Sequence, residues 1–358
     1  MGKILNVAII GQGRSGRDIH GAYFLTEEAK AHYRVVAIVD LMETRRAKAK
    51  AEFHCDVYDD YRALFGRTDV DLVVNSTFSH LHYPITKDLL NHGFNVLVEK
   101  PMSAHAFECE DMIKTAKENG KILTVFHQSR LAPYYKKVRE VLDSGVLGDI
   151  IQISIAFSGY ARRWDWQCLN RYYGGGVLNT GPHPIDQAVD LLGAEVMPQI
   201  LYSKLAKVNT YGDADDYAKI LMTAPGKPLV DLEISSCDGY SDFTYKIQGS
   251  RGAMKATIWR AEWKYFDPAT APKQVLTFEP LTDDGVTPRY CGETLNWQTG
   301  EAEFDRSTVF TVAVAEYYDR LYASLTEGAP LFLPPERALQ VIRVAEAVHA
   351  ANPMETIY

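Results

Sequence analysis

Ile4-Leu5-Asn6-Val7-Ala8-Ile9-Ile10 runs straight into Gly11-Gln12-Gly13-Arg14-Ser15-Gly16, and 24 residues after Gly16 a second apolar run, Arg34 to Val39, ends in Asp40. The first run has the length and β-branched character of a buried strand. Each glycine then has a physical task. The first permits a tight turn, the second lets a pyrophosphate approach the backbone, and the third lets a helix pack close to the strand. A helix that starts there aims free N–H groups and a partial positive charge at phosphates. An acid at about this spacing accepts hydrogen bonds from a ribose diol. Strand, glycine turn, helix and acid together predict a dinucleotide site built from Gly11, Gln12, Gly13, Arg14, Ser15, Gly16 and Asp40. A carboxylate at that place also repels a 2′-phosphate, so NAD is favoured over NADP. Arg45 and Arg46, which are able to hold such a phosphate, read as lying on the solvated face of the next helix, Glu43 to Phe53.

The same rhythm continues for about 130 residues. Val35–Val39, Leu72–Asn75, Val96–Glu99 and Ile122–Phe126 read as further short strands. Helical patterns fill Ser15–Lys30, Thr44–Phe53, Tyr61–Phe65, His82–Asn91, Ala106–Glu118 and Tyr134–Asp143. Apolar strands without alternation imply a sheet covered on both faces, and alternation with helices makes it parallel and doubly wound, a Rossmann arrangement. After Gly148 the pattern changes to longer strands: Asp149–Ser158, Gln199–Lys207, Tyr217–Thr223, Leu229–Ser235, Phe243–Gly249 and Gly252–Trp259. One helical segment, Ile185–Leu192, interrupts them. Asp267 to Phe304 reads as an extended loop region, and two helices close the chain, Phe310–Glu327 and Pro335–Ala351. The expected architecture is α/β. Residues 1–130 form the cofactor domain, and 131–358 form an α+β domain on a large, mainly antiparallel sheet that binds substrate and oligomerises.

The chain has 358 residues, beyond the usual single-core limit of roughly 250–300. Its net charge of −8 argues against nucleic-acid and anionic-membrane partners. No apolar stretch has transmembrane length, and no secretory signal is visible. Five scattered cysteines without a C-x-x-C spacing fit reduced thiols in the cytoplasm.

Two stretches carry chemistry. Glu99-Lys100-Pro101 ends a strand at the carboxyl edge, where open α/β sheets bind ligands. Burial and a neighbouring nicotinamide cation both disfavour the ammonium form of Lys100, which tunes it for acid/base work. The second stretch is Gly174-Gly175-Gly176-Val177-Leu178-Asn179-Thr180-Gly181-Pro182-His183-Pro184-Ile185-Asp186. A neutral imidazole at His183 is able to exchange a proton with a substrate hydroxyl near neutral pH. Pro182 and Pro184 argue against a regular helix before residue 184.

On these residues the chain resembles the Gfo/Idh/MocA family, the glucose–fructose oxidoreductase and inositol dehydrogenase group. Glu99-Lys100-Pro101 matches that family's hallmark, Gly11–Gly16 its cofactor loop, and Gly174–Asp186 its second-domain motif. Ser76-Thr77-Phe78-Ser79-His80 resembles its loop over the nicotinamide, and Pro334-Pro335-Glu336 its last helix start. The resemblance implies Lys100 and His183 as catalytic residues, and adds Ser76, Thr77, His80, Glu99 and Lys100 to the cofactor contacts. It also implies a homodimer or homotetramer. One position departs: most dehydrogenases of the family carry an aspartate four residues before the histidine, where this chain has Asn179. An amide can orient a hydroxyl but cannot ionise, so proton transfer falls on Lys100 and His183.

For substrate recognition, Arg162-Arg163-Trp164-Asp165-Trp166-Gln167 mixes rings that pack on a pyranose with groups that bond hydroxyls; the same pattern also describes an edge segment packing its tryptophans on the core. The expected substrate contacts are Lys100, Arg130, Arg163, Trp164, Asn179 and His183, with Tyr134 and Tyr135 also facing the cleft. His80-Leu81-His82 lacks a third ligand at a telling spacing, so no metal is expected. The leading expectation is an NAD-dependent dehydrogenase acting on a secondary hydroxyl of a sugar, sugar derivative or polyol. The alternatives are a redox-neutral enzyme that works on glycosides through a 3-keto sugar, and a non-enzymatic NAD-binding regulator.

Overall fold

The computed structural model of the chain describes residues 2–193 and 195–358. Its first half is a six-stranded parallel sheet of order β3-β2-β1-β4-β5-β6, made of β1 (Leu5–Ile10), β2 (Tyr33–Val39), β3 (Asp56–Tyr58), β4 (Leu72–Asn75), β5 (Val96–Val98) and β6 (Leu123–Val125). Side chains alternate across it. Leu5, Val7 and Ile9 enter one core, and Ala8 and Ile10 the other, all buried. Helices α1 (Glu43–Phe53), α2 (His82–Asn91) and α3 (Ala106–Glu118) supply the crossovers that parallel strands require. The strand order reverses between β1 and β4, and that switch point opens a crevice at the carboxyl edge.

Three readings need correction here. The helix expected over Ser15–Lys30 is broken: Gly16–Gly21 winds in wide π turns, Ala22–Phe24 is a short α turn, and Thr26 caps Glu27–Lys30. Strand β3, only three residues long, was not expected. Arg45 and Arg46 do not lie idle on a solvated face. Arg45 sits 3.5 Å from the Asp40 carboxylate, and Arg46 donates to the Asp40 and Leu41 carbonyls at 2.8 and 2.9 Å.

Helix α4 (Pro133–Asp143) leads into an eight-stranded sheet of order β14-β13-β12-β11-β7-β10-β9-β8. The strands are β7 (Ile150–Ser158), β8 (Gln199–Ala206), β9 (Tyr217–Thr223), β10 (Leu229–Ser235), β11 (Tyr245–Gly249), β12 (Gly252–Ala256), β13 (Arg260–Phe266) and β14 (Trp297–Glu303). Every pairing is antiparallel except β7 with β10. One face is apolar, with Ile153, Ile155, Ile220, Leu232, Tyr245 and Ile247 buried in the same core as Leu5 and Ile9. Helix α5 (Pro182–Leu192) packs there. The opposite face is polar, with Lys219 bridging Asp231 and Glu233, and Lys246, Lys255 and Lys264 exposed. The region read as loop from Asp267 to Phe304 in fact contains β14, paired along its whole length with β13.

The two closing helices return to the first sheet. Tyr317 of α6 (Val309–Glu327) bonds the Thr124 hydroxyl and the Val125 carbonyl, and Tyr318 reaches His20 at 2.7 Å. Leu339 and Ile342 of α7 (Pro335–Ala351) are buried among Val96, Val98 and Leu123. Among the described residues, no helix is long and apolar enough to cross a membrane.

Candidate active site

The glycine loop leaves β1 at the switch point. A Cβ at Gly16 would overlap the Gly11 carbonyl oxygen, so only glycine lets this turn close on itself. Above Gly13, by contrast, nothing lies within 4 Å, which leaves the backbone open to a bound group. Ser76 braces the loop, its hydroxyl donating to the Ile10 and Gly11 carbonyls at 2.8 and 3.1 Å. Asp40 closes the far side. Its carboxylate accepts the Gln12 amide at 2.7 Å and the Met42 amide at 2.8 Å, so it stands fixed at the end of β2. The buried Oε1 of Gln12 has no partner. Arg14 is exposed and Ser15 half-buried at the same turn. An open backbone, a fixed acid and an orphaned buried acceptor along one crevice fit an adenine dinucleotide.

Two expected cofactor contacts do other work. Glu99 points inward, 3.1 Å from His20 Nε2, and its second oxygen accepts the Lys100 amide at 3.1 Å. Burial alone would push this carboxyl up. The His20 bond, with Lys100 and the Ser15 hydroxyl, overrides burial and holds it down at about 2. Glu99 thereby fastens the glycine-loop helix to the end of β5. Thr77 bonds the Asn75 side chain at 2.8 Å. His80 packs edge-on against Tyr172, ring centroids 4.8 Å apart, and its buried Nδ1 has no partner. His82 is turned away to the Pro101 and Thr77 carbonyls. Among the described residues no group of three or more His, Cys, Asp or Glu is placed to hold a metal.

Lys100 follows β5 and is joined to Pro101 by a cis peptide bond. Its Nζ donates to the Asn179 carbonyl at 2.8 Å, which carries it across to the second sheet's domain. Burial disfavours the ammonium first; Glu99 opposes that shift, while Arg163 and Arg14 reinforce it, and the net result is a lowered pKa.

The glycine-rich segment is more helical than its prolines implied. Gly175, at φ +99°, starts a helical turn over Gly176–Asn179, and α5 begins at Pro182, a first-turn position where no proline N–H is missed. His183 therefore lies on the first turn of α5. Its Nδ1 is 3.0 Å from the Ser129 hydroxyl, which leaves Nε2 for a ligand. Burial, Lys100 and His127 all depress its pKa well below the usual imidazole value, so it is neutral at neutral pH. Behind it, His127 Nδ1 and Asp186 Oδ2 face each other at 3.8 Å, too far for a hydrogen bond, and neither atom is hydrogen-bonded. Burial lowers His127 to about 3, helped by Arg130; burial raises Asp186 to about 7 against the pull of Arg130.

Several expected substrate residues are placed differently. Arg130 is held by Asp190 at 2.7 Å and lies 3.7 Å from Asp186, so it fastens α5 rather than facing the cleft. Tyr134 and Tyr135 are buried, Tyr135 on Asp190 and the Gln187 carbonyl. Trp164 is 81% exposed and turned outward; it is Trp166 that stacks on Phe78, ring centroids 4.5 Å apart. Arg163 bonds the Gln167 side chain, and Gln167 donates to Asn179 Oδ1 at 3.1 Å. Arg163, Gln167, Asn179 and Lys100 thus form one chain of hydrogen bonds. Ser129 and His127 were not anticipated. The chemistry of their turn was visible in the sequence, but which side chain faces His183 is decided by α5, some fifty residues on.

Comparison with known proteins agrees with this fold. Residues 5–127 match the oxidoreductase family with an NAD-binding Rossmann fold, and residues 135–255 match the GFO/IDH/MocA C-terminal domain. The 2,7-anhydro-N-acetylneuraminate hydratase of Mediterraneibacter gnavus is 28% identical over 71% of this chain and 67% of its own. The NADP(+)-dependent scyllo-inositol 2-dehydrogenase IolW of Bacillus subtilis is 24% identical over 96% of this chain and 92% of its own. The WlbA dehydrogenase of Bordetella pertussis, solved with NADH and UDP-GlcNAcA, superposes with a TM-score of 0.77 at 17% identity, covering 98% and 95% of the two chains. The chain has an NAD-binding Rossmann domain and belongs to the Gfo/Idh/MocA family of oxidoreductases.

Proposed function

We propose that the protein transfers a hydride between the nicotinamide of NAD and a secondary carbinol carbon of a sugar, sugar derivative or polyol, oxidising the alcohol to a ketone with NAD or reducing the ketone to the alcohol with NADH. The observation that carries this reading is Lys100 beside His183 at the carboxyl edge of a sheet that presents a dinucleotide loop. Bound along Gly11–Gly16 and Asp40, NAD would supply the hydride acceptor for the carbinol carbon. The chain's own part is proton transfer and geometry. Lys100, buried and biased toward the neutral amine, takes the hydroxyl proton in oxidation and returns it in reduction. His183 Nε2, its ring fixed through Ser129, accepts a hydrogen bond from the same or a neighbouring hydroxyl. Phe78, Trp166 and Tyr172 pack together as an aromatic cluster beside His80.

A screen of sugars, polyols and glycosides with NAD, read at the NADH absorbance, tests this. A substrate that reduces NAD in proportion to enzyme turnover is the expected result; absence of turnover across all three classes would overturn it. The hydratase relative favours a second reading in which the hydride is returned and no net NADH forms. Product analysis by NMR in the same screen separates the two. Assembly is proposed as a two-fold dimer or a dimer of dimers through the polar face of the eight-stranded sheet, which no helix covers among the described residues. Light scattering should give a multiple of the 40.2 kDa chain mass.

A further inference from the structure

Arg162, Trp164 and Tyr211 line an open surface cavity of about 370 Å³ beside the segment that carries Arg163. Tyr211 is 61% exposed, so with Trp164 two large rings stand open to solvent as its walls. Single exposed apolar side chains need no explanation, but two rings flanking a guanidinium form a shaped surface. Arg162, itself exposed, donates to the Tyr211 hydroxyl, and its guanidinium carbon lies 5.2 Å from that ring's centroid. Among the described residues it has no carboxylate partner, although acidic side chains outnumber basic ones 46 to 38 in this chain. The cavity is tied to the candidate active site. The Tyr211 amide donates to the Arg163 carbonyl at 2.9 Å, and Arg163 begins the hydrogen-bond chain through Gln167 and Asn179 to Lys100.

A guanidinium held in position without a counter-charge selects an anion, because its planar fork matches the two oxygens of a carboxylate or phosphate. Aromatic faces add a preference for a ring with an apolar C–H side. The volume lies in the lower part of the range for small-molecule sites. Resting on the sugar reading above, we infer that the Arg162–Trp164–Tyr211 cavity binds an anionic sugar, a pyranose that carries a carboxylate or a phosphate.

Isothermal titration calorimetry on the full chain with NAD present tests this with three probes: D-glucuronate, D-glucose 6-phosphate and D-glucose. At least one anion should bind about tenfold more tightly than glucose, and the tighter one names the anion. Arg162→Gln should remove that advantage and its sensitivity to salt, Trp164→Ala should weaken binding several-fold, and Lys100→Ala should leave anion binding in place. Glucose matching both anions, no binding of either anion, or unchanged anion affinity in Arg162→Gln would overturn the assignment. The readout is heat of binding, so failure to find NAD turnover, which would sink the oxidoreductase reading, leaves this result interpretable.

Discussion

The cofactor crevice and the substrate segment are built in opposite ways. Around the cofactor loop the important contacts are made by backbone: Gly16 against the Gly11 carbonyl, the Gln12 and Met42 amides on Asp40, the Ser76 hydroxyl on two carbonyls of the loop. All sit at the ends of regular strands. Residues 160–174 instead form coil and short 3₁₀ turns, and their order depends on side chains meeting side chains, Arg163 on Gln167, Gln167 on Asn179, Trp166 on Phe78. A backbone requirement fixes residue type, whereas a side-chain chain can be rebuilt for another ligand without disturbing the sheet. One half holds a constant partner, and the other is where specificity can change.

The sharpest way to break that division is at the residue that joins the halves. Lys100→Ala should lower turnover by about 10²–10⁴ while NAD affinity stays within a few-fold, read by cofactor fluorescence titration beside steady-state kinetics. Loss of NAD binding with turnover retained would make Lys100 a cofactor contact instead.

A second test concerns the buried imidazoles behind the cleft. His127 and His183 have depressed pKa values when folded, so the unfolded chain binds their protons first as pH falls. Stability from this source is intact above about pH 6.5 and declines below it. Between pH 6.5 and 5 the loss from His127 should be on the order of 2 kcal/mol. Urea midpoints at both pH values check this, and His127→Asn should flatten the slope. Asp186 works the other way. Its carboxyl is raised to about 7, so its contribution is full at low pH and fades as pH rises toward that value.

How much of each half is legible follows from the same contrast. β4, α2, α3 and α7 begin and end where the apolar pattern and the proline place them. The glycine loop and the Asp40 spacing were readable because one backbone geometry demands them. β13 was missed although Ala261, Trp263 and Tyr265 alternate inward; its charged outer residues masked the period. β14 has only Trp297 and Ala302 as apolar residues, five apart and so not alternating. The roles of Arg130, Tyr134 and Tyr135 depend on Asp186, Asp190 and Gln187 across the fold, which no local pattern encodes. Trp164 and Trp166 differ by two positions and face different surroundings because the segment passes from coil into a 3₁₀ turn between them.

A smaller effect is expected at Asp40. Asp40→Ala should weaken NAD about tenfold and narrow its advantage over NADP, with Arg45 then free for a 2′-phosphate. Wild-type protein that binds NADP as tightly as NAD would refute the role given to this acid. The mildest change is Asn179→Asp. A carboxylate there should still accept from Gln167 and, lying beside Lys100, should favour the ammonium. The pH for half-maximal oxidation should move upward with the fold unchanged by circular dichroism; an unshifted profile would remove Lys100 from the proton path.

The return of α7 to the first sheet has a consequence for synthesis. Val96, Val98 and Leu123 are made early, yet Leu339 and Ile342 cover them only after nearly the whole chain has been translated. At about 5–20 residues per second, that apolar face emerges from the ribosome and waits for tens of seconds without its last cover. A nascent chain stalled before residue 335 should accordingly be a client for holdase chaperones, and one released after residue 351 should not.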